Sequence, residues 1–574
     1  MEIKEFNLLK KNLKKDVSKY TEIRIAILGD SATQLLSQAI KGYGIEIGYN
    51  FNVYEADYNQ IELQVFESTS ELYNFNPEFI IVYFSSKKLI NKFYSQNKTD
   101  KEYFADKTIS IYSNILNTIS LKLKSKVIFF NLAEINDTIY GNYSNKVNTS
   151  FIYQLRKINF ELMNLAQKIN NLFIIDLSAI QNIYGKKYLF DSKIYINTDL
   201  ILTIDILPIV SKNIIDIILS IKGVIKKCLI LDLDNTLWGG VIGDDGIENI
   251  QIGDLGIGKA FSEFQLWIKQ LKERGIILAI CSKNSEIIAK EPFENHPDMV
   301  LKLNDFAVFV ANWENKADNI KYIQNILNIS FDSMVFLDDN PFERNFVKSF
   351  FPEITVPELP DDPALYLEYL YTLNLFETAS LSEEDEHRTK QYQDEANRKI
   401  AQNSFVNEKE FLINLDMVSI VEPFNKFNIP RVAQLTQRSN QFNLRTVRYT
   451  DNELILISKS VNYATFSFTL QDKYGDNGLI SIIILLKQKN KLFIDTWIMS
   501  CRVLKRGMEN FVLNYIVNFA QNNDFSELIG EYLPTNKNNM VKNHYSNLGF
   551  KEDNGIWILD TRSYIYKENY IKKL

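Results

Sequence analysis

The stretch CLILDLDNTLWGGVIGDDG, Cys228 to Gly246, places Asp232 and Asp234 one residue apart directly after an apolar run. The run predicts a buried strand. Two carboxylates at the end of such a strand repel each other, and each is costly to desolvate. The pair therefore predicts a cation and a chemical role at this position. The glycine-rich segment that follows is short, which predicts a site without a large covering insertion.

Three further elements follow in order. They are CSKN (Cys281 to Asn284), Lys316 within NWENKADNI, and the pair Asp338 and Asp339 within VFLDDNPFER. Because the carboxyl ends of parallel strands share one crevice, these groups are expected to converge with Asp232. A cluster of carboxylate oxygens suits Mg²⁺, which also binds phosphate oxygens. The alternative is a solvated pair of aspartates in a turn.

These residue types are suited to phosphoryl transfer. One aspartate can attack phosphorus, and a second can act as acid and then base. A lysine and Mg²⁺ can neutralise the transferring phosphoryl group. The four elements resemble those of the haloacid-dehalogenase (HAD) phosphatase superfamily. That resemblance implies these roles: Asp232 as nucleophile and metal ligand, Asp234 as acid/base and metal ligand through its carbonyl, Ser282 and Lys316 as phosphoryl contacts, Thr236 and Asn284 as substrate contacts, and Asp338 with Asp339 as metal ligands.

The local resemblance is closer than the superfamily. Together with MSCRVLKRGME further along, the same stretches are similar to those of the FkbH-like family. The resemblance implies an Mg²⁺-dependent glyceryltransferase and phosphatase that loads glyceryl units onto acyl carrier proteins for polyketide and related pathways. Its implied substrate is 1,3-bisphosphoglycerate. A plain phosphatase with carrier-binding flanking domains and a non-enzymatic carrier scaffold are the alternatives.

The pattern of strands and helices predicts an α/β multidomain protein. The expected parts are an α/β domain over residues 1–222, a HAD-like Rossmannoid α/β domain over 223–378, and a GNAT-like α+β domain over 379–574. The strands RIAILGD, FIIVYF, KVIFFNL and LFIIDL of the first domain read as parallel. The charged stretch SEEDEHRTKQYQDEANRK predicts a solvated linker helix between the last two domains.

The first domain contains AILGDSATQLL, with Gly29-Asp30-Ser31 at a strand-to-helix turn. This resembles the first block of SGNH hydrolases, in which the serine is the nucleophile. The three histidines are His296, His387 and His544, so the domain holds no histidine base for Ser31. We therefore expect an SGNH-like fold without hydrolase activity, with Ser31 as a helix N-cap.

The last domain resembles GNAT acyltransferases in the order of strand KLFIDTWIMS, loop CRVLKRGME and helix NFVLNYIVNFAQNN. The resemblance implies pantetheine binding by the loop, through Arg502, Lys505, Arg506 and Gly507. Those cations could hold the carrier arm's phosphate or acidic carrier helices. Polar residues of QRSNQFNLRT (Gln437, Arg438, Asn440 and Asn443) either line the acyl cleft or form a polar loop.

Two of the three cysteines are candidates for an acyl-carrying thiol. Cys501 ends a strand beside the basic loop, which would favour its thiolate. Cys281 is the rival, since it precedes Ser282 at the phosphatase crevice. Cys228 lies in an apolar run and is expected in the core.

Composition excludes several classes of protein. A net charge of −7 gives no support to nucleic-acid or anionic-membrane binding. The most apolar segment is interrupted by charges, and the N-terminus has no signal-peptide core. Three dispersed cysteines indicate a reducing compartment. We expect a cytoplasmic protein whose partners are an acyl carrier protein and a small phosphorylated acyl substrate.

Overall fold

A computed structural model describes residues 3–381, 388–402, 405, 407–500 and 503–574. The chain forms two compact units. The first comprises Met1–Ser220 with Thr372–Asn374, and the second comprises Ile221–Tyr371 with Leu375–Leu574. The second unit therefore contains most of the predicted middle region (223–378) together with the predicted last region (379–574).

The first unit is built on a five-stranded parallel sheet in the order β2-β1-β3-β4-β5. Its strands are β1 (Thr21–Gly29), β2 (Tyr49–Glu55), β3 (Phe79–Tyr83), β4 (Lys126–Phe130) and β5 (Leu172–Ile175). Its helices are α1 (Phe6–Asn12), α2 (Gln34–Glu46), α3 (Ile61–Phe66), α4 (Glu71–Phe75), α5 (Ser86–Tyr94), α6 (Lys98–Lys101), α7 (Phe104–Lys122), α8 (Phe151–Lys168), α9 (Leu177–Tyr184), α10 (Lys186–Leu189), α11 (Ser192–Thr198) and α12 (Leu207–Ile221).

The parallel α/β arrangement of this unit is confirmed. Strand β3 is buried along its whole length, as its unbroken apolar run predicts. The edge strand β2 was not predicted, because it is half-buried and carries two asparagines. The SGNH-like assignment stays a prediction.

The second unit begins with a four-stranded parallel sheet, here called the middle sheet, in the order β8-β7-β6-β9. Its strands are β6 (Cys228–Leu231), β7 (Ile277–Ser282), β8 (Phe306–Ala311) and β9 (Met334–Leu337). The helices of this part are α13 (Ile242–Asp245), α14 (Gly256–Glu273), α15 (Glu286–Asn295), α16 (Lys316–Leu327), α17 (Pro341–Phe350) and α18 (Tyr366–Leu373). Strands β6, β7 and β9 are buried along their whole length.

The rest of the second unit is a mostly antiparallel sheet, the C-terminal sheet, in the order β16-β17-β15-β14-β13-β12-β10-β18, with β11 also paired to β12. Its strands are β10 (Met417–Ser419), β11 (Val421–Glu422), β12 (Tyr463–Asp472), β13 (Gly475–Gln488), β14 (Lys491–Met499), β15 (Glu527–Glu531), β16 (Lys551–Asp553), β17 (Ile556–Asp560) and β18 (Ile571–Lys573). The helices are α19 (Arg388–Gln402), α20 (Glu408–Asn414), α21 (Ile429–Arg438), α22 (Asp451–Lys459), α23 (Met508–Asn522) and α24 (His544–Asn547).

The predicted linker helix corresponds to α19, which contacts both the middle sheet and β13 of the C-terminal sheet. The expectation that it is solvated is wrong. Tyr392 is buried in the core of the middle sheet, and Arg398 is 2% exposed. His387, at the start of the charged stretch, lies outside the described residues.

Among the described helices, no segment is long and apolar enough to cross a lipid bilayer.

Candidate active site

An acid cluster lies at the carboxyl edge of the middle sheet. Asp232 follows β6, Asp338 follows β9, and Lys316 begins α16 after β8. The Nζ of Lys316 lies 2.9 Å from Asp232 Oδ2 and 2.5 Å from Asp338 Oδ2. All three side chains are nearly excluded from solvent. The parallel topology thus brings together groups that are distant in the sequence.

Three carboxylates of this cluster could hold a metal ion. Asp232, Asp338 and Asp339 each place an oxygen within 4.8 Å of the others. Asp339 is oriented by Thr236, whose hydroxyl accepts from the Asp339 amide at 3.1 Å and lies 3.4 Å from Asp339 Oδ1. Oxygen-only ligands of this kind suit Mg²⁺ rather than a soft transition metal. The donor set therefore fits the predicted ion.

Asp234 faces a different set of groups. Its Oδ1 accepts hydrogen bonds from Trp238 Nε1 and the Ile242 amide, both at 3.0 Å. Its Oδ2 accepts from Asn284 Nδ2 at 3.0 Å. The side chain is thus oriented by three donors, and it is not one of the three carboxylates that could hold a metal ion. Asn284, predicted to contact substrate, contacts Asp234 in this structure.

Burial and repulsion by Asp232 raise the pKa of three carboxyl groups at this edge: Asp234, Asp338 and Asp339. Burial raises the pKa of Asp338, and the neighbouring Asp232 raises it further. The same two causes raise the pKa of Asp339. For Asp234, burial raises the pKa against the opposing hydrogen bonds from Ile242 and Trp238. A carboxyl group with a raised pKa is suited to donate a proton near neutral pH.

Lys316 provides the compensating positive charge. Burial alone would lower the pKa of its ammonium group, but Asp232 and Asp338 outweigh that effect and raise it. The lysine is therefore charged at any physiological pH. A fixed cation between two carboxylates can also stabilise negative charge on a phosphoryl oxygen.

A tight loop after β6 positions the first two aspartates. Asn235 adopts a positive φ of 52°, which asparagine tolerates better than most residues. Its Oδ1 accepts from the Gly240 amide at 2.9 Å, closing the loop. Leu237 and Trp238 are fully buried beneath it. The Asn235 hydrogen bond and the buried Leu237 and Trp238 side chains thus anchor the loop.

Arg344 was not predicted as part of the site. It lies on α17, and its Nη1 donates to the backbone carbonyls of Asp338 at 2.8 Å and Asp339 at 2.6 Å. This guanidinium fixes the backbone that carries Asp338 and Asp339, two of the three carboxylates that could hold a metal ion. The feature of the sequence that could have indicated this role is the position of Arg344, six residues after Asp338 and five after Asp339, near the start of a helix. Ser282 ends β7 at the same edge and is 1% exposed.

The structure does not place Cys281 as a nucleophile, so the hypothesis that its thiol carries the acyl group is wrong. It is fully buried in the core of the middle sheet, with its Sγ 3.8 Å from the Lys316 carbonyl. Burial raises the pKa of its thiol well above the ordinary range. Successive strand residues point to opposite faces, so Cys281 points away from the face of Ser282. Cys228 is equally buried, as expected.

Replacing Cys281 with alanine is therefore expected to leave phosphatase activity near that of the parent protein. The lost volume should lower the free energy of unfolding by about 1 kcal/mol. In the folded protein, Cys228 and Cys281 should resist alkylation by iodoacetamide, because a buried, protonated thiol is a poor nucleophile. Peptide mapping after labelling measures this, and rapid modification of Cys281 would contradict the assignment.

The predicted pantetheine loop differs from expectation. Cys501 and Arg502 lie outside the described residues. Lys505 is exposed with φ 63°, and Gly507 has φ 76° immediately before α23. Arg506 is buried and forms an ion cluster with Asp472 (3.3 Å) and Glu395. The prediction that Arg506 binds an incoming phosphate is therefore wrong, because its guanidinium is already paired with two carboxylates.

This ion cluster should be structural. Arg398 joins it with Nε 2.7 Å from Asp472 Oδ2, so α19 is bound to the C-terminal sheet through buried charges. Replacing Arg506 with methionine leaves those carboxylates with less compensation. We expect a loss of about 3–5 kcal/mol in the free energy of unfolding, measured by urea denaturation. The exposed Lys505→Met is the control, and equal stability of both variants would contradict this role.

The C-terminal sheet opens between β14 and β15. These strands are parallel and pair only from Lys491 to Phe493 on β14. Beyond that point the chain segment 442–444 occupies the opening. The Met499 amide donates to the Phe442 carbonyl at 3.2 Å, and the Leu533 amide donates to the Leu444 carbonyl at 2.9 Å. Asn443, one of the predicted cleft residues, is buried in this segment.

In the first unit, Asp30 and Ser31 follow β1. Asp30 Oδ2 accepts from the Ser85 amide at 2.8 Å, and burial raises the pKa of Asp30 to about 6. Ser31 is fully buried. Its predicted role as helix N-cap is wrong, because α2 begins at Gln34 with Thr33 as the capping residue.

Comparisons with known proteins identify the family. A solved structure described as the N-terminal part of the protein BF1531 from Bacteroides fragilis, containing a phosphatase domain and complexed with Mg, is 56% identical to this chain. The match covers 66% of this chain and 100% of that one, with a TM-score of 0.64. A family model described as the FkbH N-terminal domain matches residues 24–219. The chain belongs to the FkbH-like family.

Other similarities of this FkbH-like protein are weaker. The ribosomal-protein-S18-alanine N-acetyltransferase from Escherichia coli is 13% identical, covering 25% of this chain and 94% of that one, with a TM-score of 0.21. A GNAT-family acetyltransferase from Desulfovibrio desulfuricans is 10% identical, covering 25% and 99%, with a TM-score of 0.22. Such scores do not assign a fold, so the GNAT-like assignment stays a prediction. A search of curated proteins gave no significant match.

Proposed function

We propose that this FkbH-like protein is an Mg²⁺-dependent phosphatase that also transfers a glyceryl group. The observation that carries the proposal is the acid cluster of Asp232, Asp338 and Asp339 around the buried Lys316. The Bacteroides neighbour, described as containing a phosphatase domain complexed with Mg, supports the same reading. When held by the three carboxylates, Mg²⁺ supplies positive charge to the phosphoryl oxygens.

In the proposed hydrolysis, a carboxylate oxygen of Asp232 attacks phosphorus, and the bond from phosphorus to the ester oxygen breaks. Asp234 donates its proton to the departing alkoxide, a role that its raised pKa favours. Asp234 then accepts a proton from water as that water attacks the aspartyl phosphate. Phosphate leaves, and Asp232 is regenerated. Lys316 remains paired with the carboxylates and stabilises the phosphoryl oxygens throughout.

The finer proposal concerns the substrate and the acceptor. Membership of the FkbH-like family supports 1,3-bisphosphoglycerate as substrate and an acyl carrier protein as acceptor. The Cys501 thiolate would attack the C1 carbonyl, with loss of phosphate and formation of a thioester. Thioester exchange would then pass the glyceryl group to the pantetheine thiol, and Cys501 would be reprotonated. Hydrolysis at Asp232 would remove the C3 phosphate.

A plain phosphatase remains the second candidate because of one structural feature. The acid cluster is at the carboxyl edge of the middle sheet, whereas Ser500 lines a cavity that Lys227 and Ile277 also line at the amino edge of that sheet. Lys227 and Asp232 bracket β6, and five residue steps correspond to about 17 Å at roughly 3.3 Å per residue. Among the described residues near the acid cluster, the thiol of Cys281 is buried with a raised pKa, which favours hydrolysis without acyl transfer.

The deciding experiment is incubation of the pure protein with Mg²⁺ and enzymatically generated 1,3-bisphosphoglycerate, without carrier protein. We expect a glyceryl or phosphoglyceryl adduct in the intact mass, mapped to the peptide containing Cys501. The adduct should be absent in Cys501→Ser and should retain its phosphate in Asp232→Asn. Phosphate release without any adduct would leave the plain phosphatase as the function.

A further inference from the structure

The sheet of the first unit ends in two edge strands of unequal length. Strand β5 has four residues, whereas β2 has seven and pairs with β1 along its whole length without a register shift. The sequence of β2, YNFNVYE, contains no lysine and no proline. Proteins usually protect an edge strand by keeping it short or by adding lysine, proline or a bulge. The β2 edge has none of these protections.

One hydrogen bond shows which backbone groups of β2 point outwards. The Ala56 amide, directly after β2, donates to the Ile27 carbonyl of β1 at 3.1 Å. Alternate residues of a strand in a parallel ladder bond to the same neighbour, so the even-numbered residues of β2 bond to β1. Phe51, Val53 and Glu55 therefore direct their N–H and C=O groups away from the sheet. Within the described ranges, no hydrogen bond from another part of the chain reaches the backbone of these three residues.

A groove of about 420 Å³ lies beside this edge. It is lined by the chain before β1 (Leu13, Lys15 and Val17), by Lys41 and Ile45 of α2, and by residues 50–53 of β2. The edge is therefore bordered by an apolar wall that also carries two ammonium groups.

We propose that β2 pairs antiparallel with β2 of a second copy of this chain, which joins the two sheets across a two-fold axis. With Asn52 on the axis, Phe51 lies opposite Val53 of the second copy, and Val53 lies opposite its Phe51. These residues direct their backbone groups outwards, so the two pairs form about four hydrogen bonds between the chains. Phe51 and Val53 lie on the same face of β2, so each pair also brings two apolar side chains together.

The position of the axis also suits Asn52, whose side chain is exposed. Its backbone bonds to β1, so it meets Asn52 of the second copy as a non-hydrogen-bonded pair, the closer of the two kinds of antiparallel pair. Its Nδ2 donates to Glu22 Oε1 at 3.3 Å. The side-chain carbonyl and the second N–H of this amide can therefore bond to the same amide of the other copy.

The charged residues are complementary in this arrangement. Glu55 of the second copy lies opposite Tyr49, which adjoins the groove that carries Lys15 and Lys41. The carboxylate of one copy thus approaches the ammonium groups of the other, and the two-fold axis repeats the contact. This complementarity favours a second copy of this chain over an unrelated extended peptide.

The first test is sedimentation equilibrium of the full-length parent protein at micromolar concentrations. We expect a dimer with twice the chain mass of 66.8 kDa. Asn52→Lys places two ammonium groups opposite each other on the axis, and Val53→Pro removes an outward N–H that the pairing needs. Each change should weaken dimerisation at least about tenfold. Asn117→Lys, the same change at an exposed position of α7, is the control and should remain dimeric.

A parent protein that stays monomeric, or dimers that neither β2 variant weakens, would overturn the proposal. Circular dichroism verifies the folding of each variant. Because Asn52→Lys alters only an exposed side chain, it keeps the test decisive if Val53→Pro does not fold.

Asn52→Cys tests the register of the pairing. Opposite residues of a non-hydrogen-bonded antiparallel pair have Cα atoms about 4.5 Å apart, which a disulfide can span. In a Cys501→Ser background, where Cys228 and Cys281 are buried, oxidised glutathione should give a disulfide-linked dimer on a non-reducing gel. Asn117→Cys in the same background should run as a monomer. Failure of Asn52→Cys to link would overturn the pairing centred on Asn52, and none of these results depends on turnover.

Discussion

Replacing Asp232 with asparagine will lower Mg²⁺-dependent hydrolysis of p-nitrophenyl phosphate by about 10³-fold or more, because the change removes both the attacking oxygen and one ligand charge. Asparagine has nearly the same shape, so the contact between Lys316 and this position is weakened without leaving a void. The measurement is the initial rate of nitrophenolate release at saturating Mg²⁺, with circular dichroism to verify folding.

The matched control is Asp254→Asn, which neutralises an exposed carboxylate of the same part of the chain. It should hydrolyse the substrate at the parent rate. If Asp232→Asn retained more than about a tenth of the parent activity, the nucleophile would have to be another group, since loss of a covalent nucleophile costs orders of magnitude in rate.

Replacing Lys316 with methionine should have the largest effect on stability. The Nζ of Lys316 contacts Asp232 and Asp338, which are both almost fully buried. Breaking a buried ion pair from one side leaves uncompensated charge and costs about 3–5 kcal/mol. We expect that loss in urea denaturation at pH 7.5 in EDTA, with partial recovery when Mg²⁺ is added, since the ion would replace the missing charge.

The pH dependence of this loss follows from Asp338. Burial and Asp232 already raise its pKa above the unfolded value, so its contribution to stability is present at low pH and is lost as pH rises through the folded pKa. Without Lys316, the pKa of Asp338 rises further. The part of the stability difference between the parent and Lys316→Met that comes from Asp338 should therefore grow above about pH 7 in EDTA, where this carboxyl group ionises in the folded parent but not yet in the variant.

Lys321→Met is the control, because Lys321 lies on the same helix but is exposed. Its stability should stay within about 0.5 kcal/mol of the parent at every pH. A Lys316→Met protein that unfolds like this control would mean that the two carboxylates are compensated by other groups.

Much of the candidate site was predictable because it depends on local order along the chain. Asp232, Lys316 and Asp338 each follow a buried strand or begin the next helix, and parallel strands end at one edge. The family resemblance, carried by the same stretches, was confirmed by the Bacteroides neighbour at 56% identity. Asn235 and the short glycine-rich loop also carried their own conformational preference in the sequence.

The errors came from contacts between residues that are distant in the sequence. Arg506 looked like a loop cation, but its partners Glu395 and Asp472 lie 111 and 34 residues away. Cys281 looked catalytic because it adjoins Ser282, although strand alternation places the two side chains on opposite faces. Strand β8 was missed as an element, and its position at the edge of the middle sheet emerged only from its pairing with β7.

The sequence by itself determined which residues end the buried strands, and hence that two aspartates, a lysine and a second aspartate pair would share one edge of a parallel sheet. Strand periodicity and parallel topology are local or short-range properties, so they can be read without coordinates. Only the tertiary structure decided which charges compensate one another, such as the buried pairing of Arg506 with Glu395 and Asp472. Those outcomes depend on packing between α19, α21 and two sheets, whose side chains meet only in the folded chain.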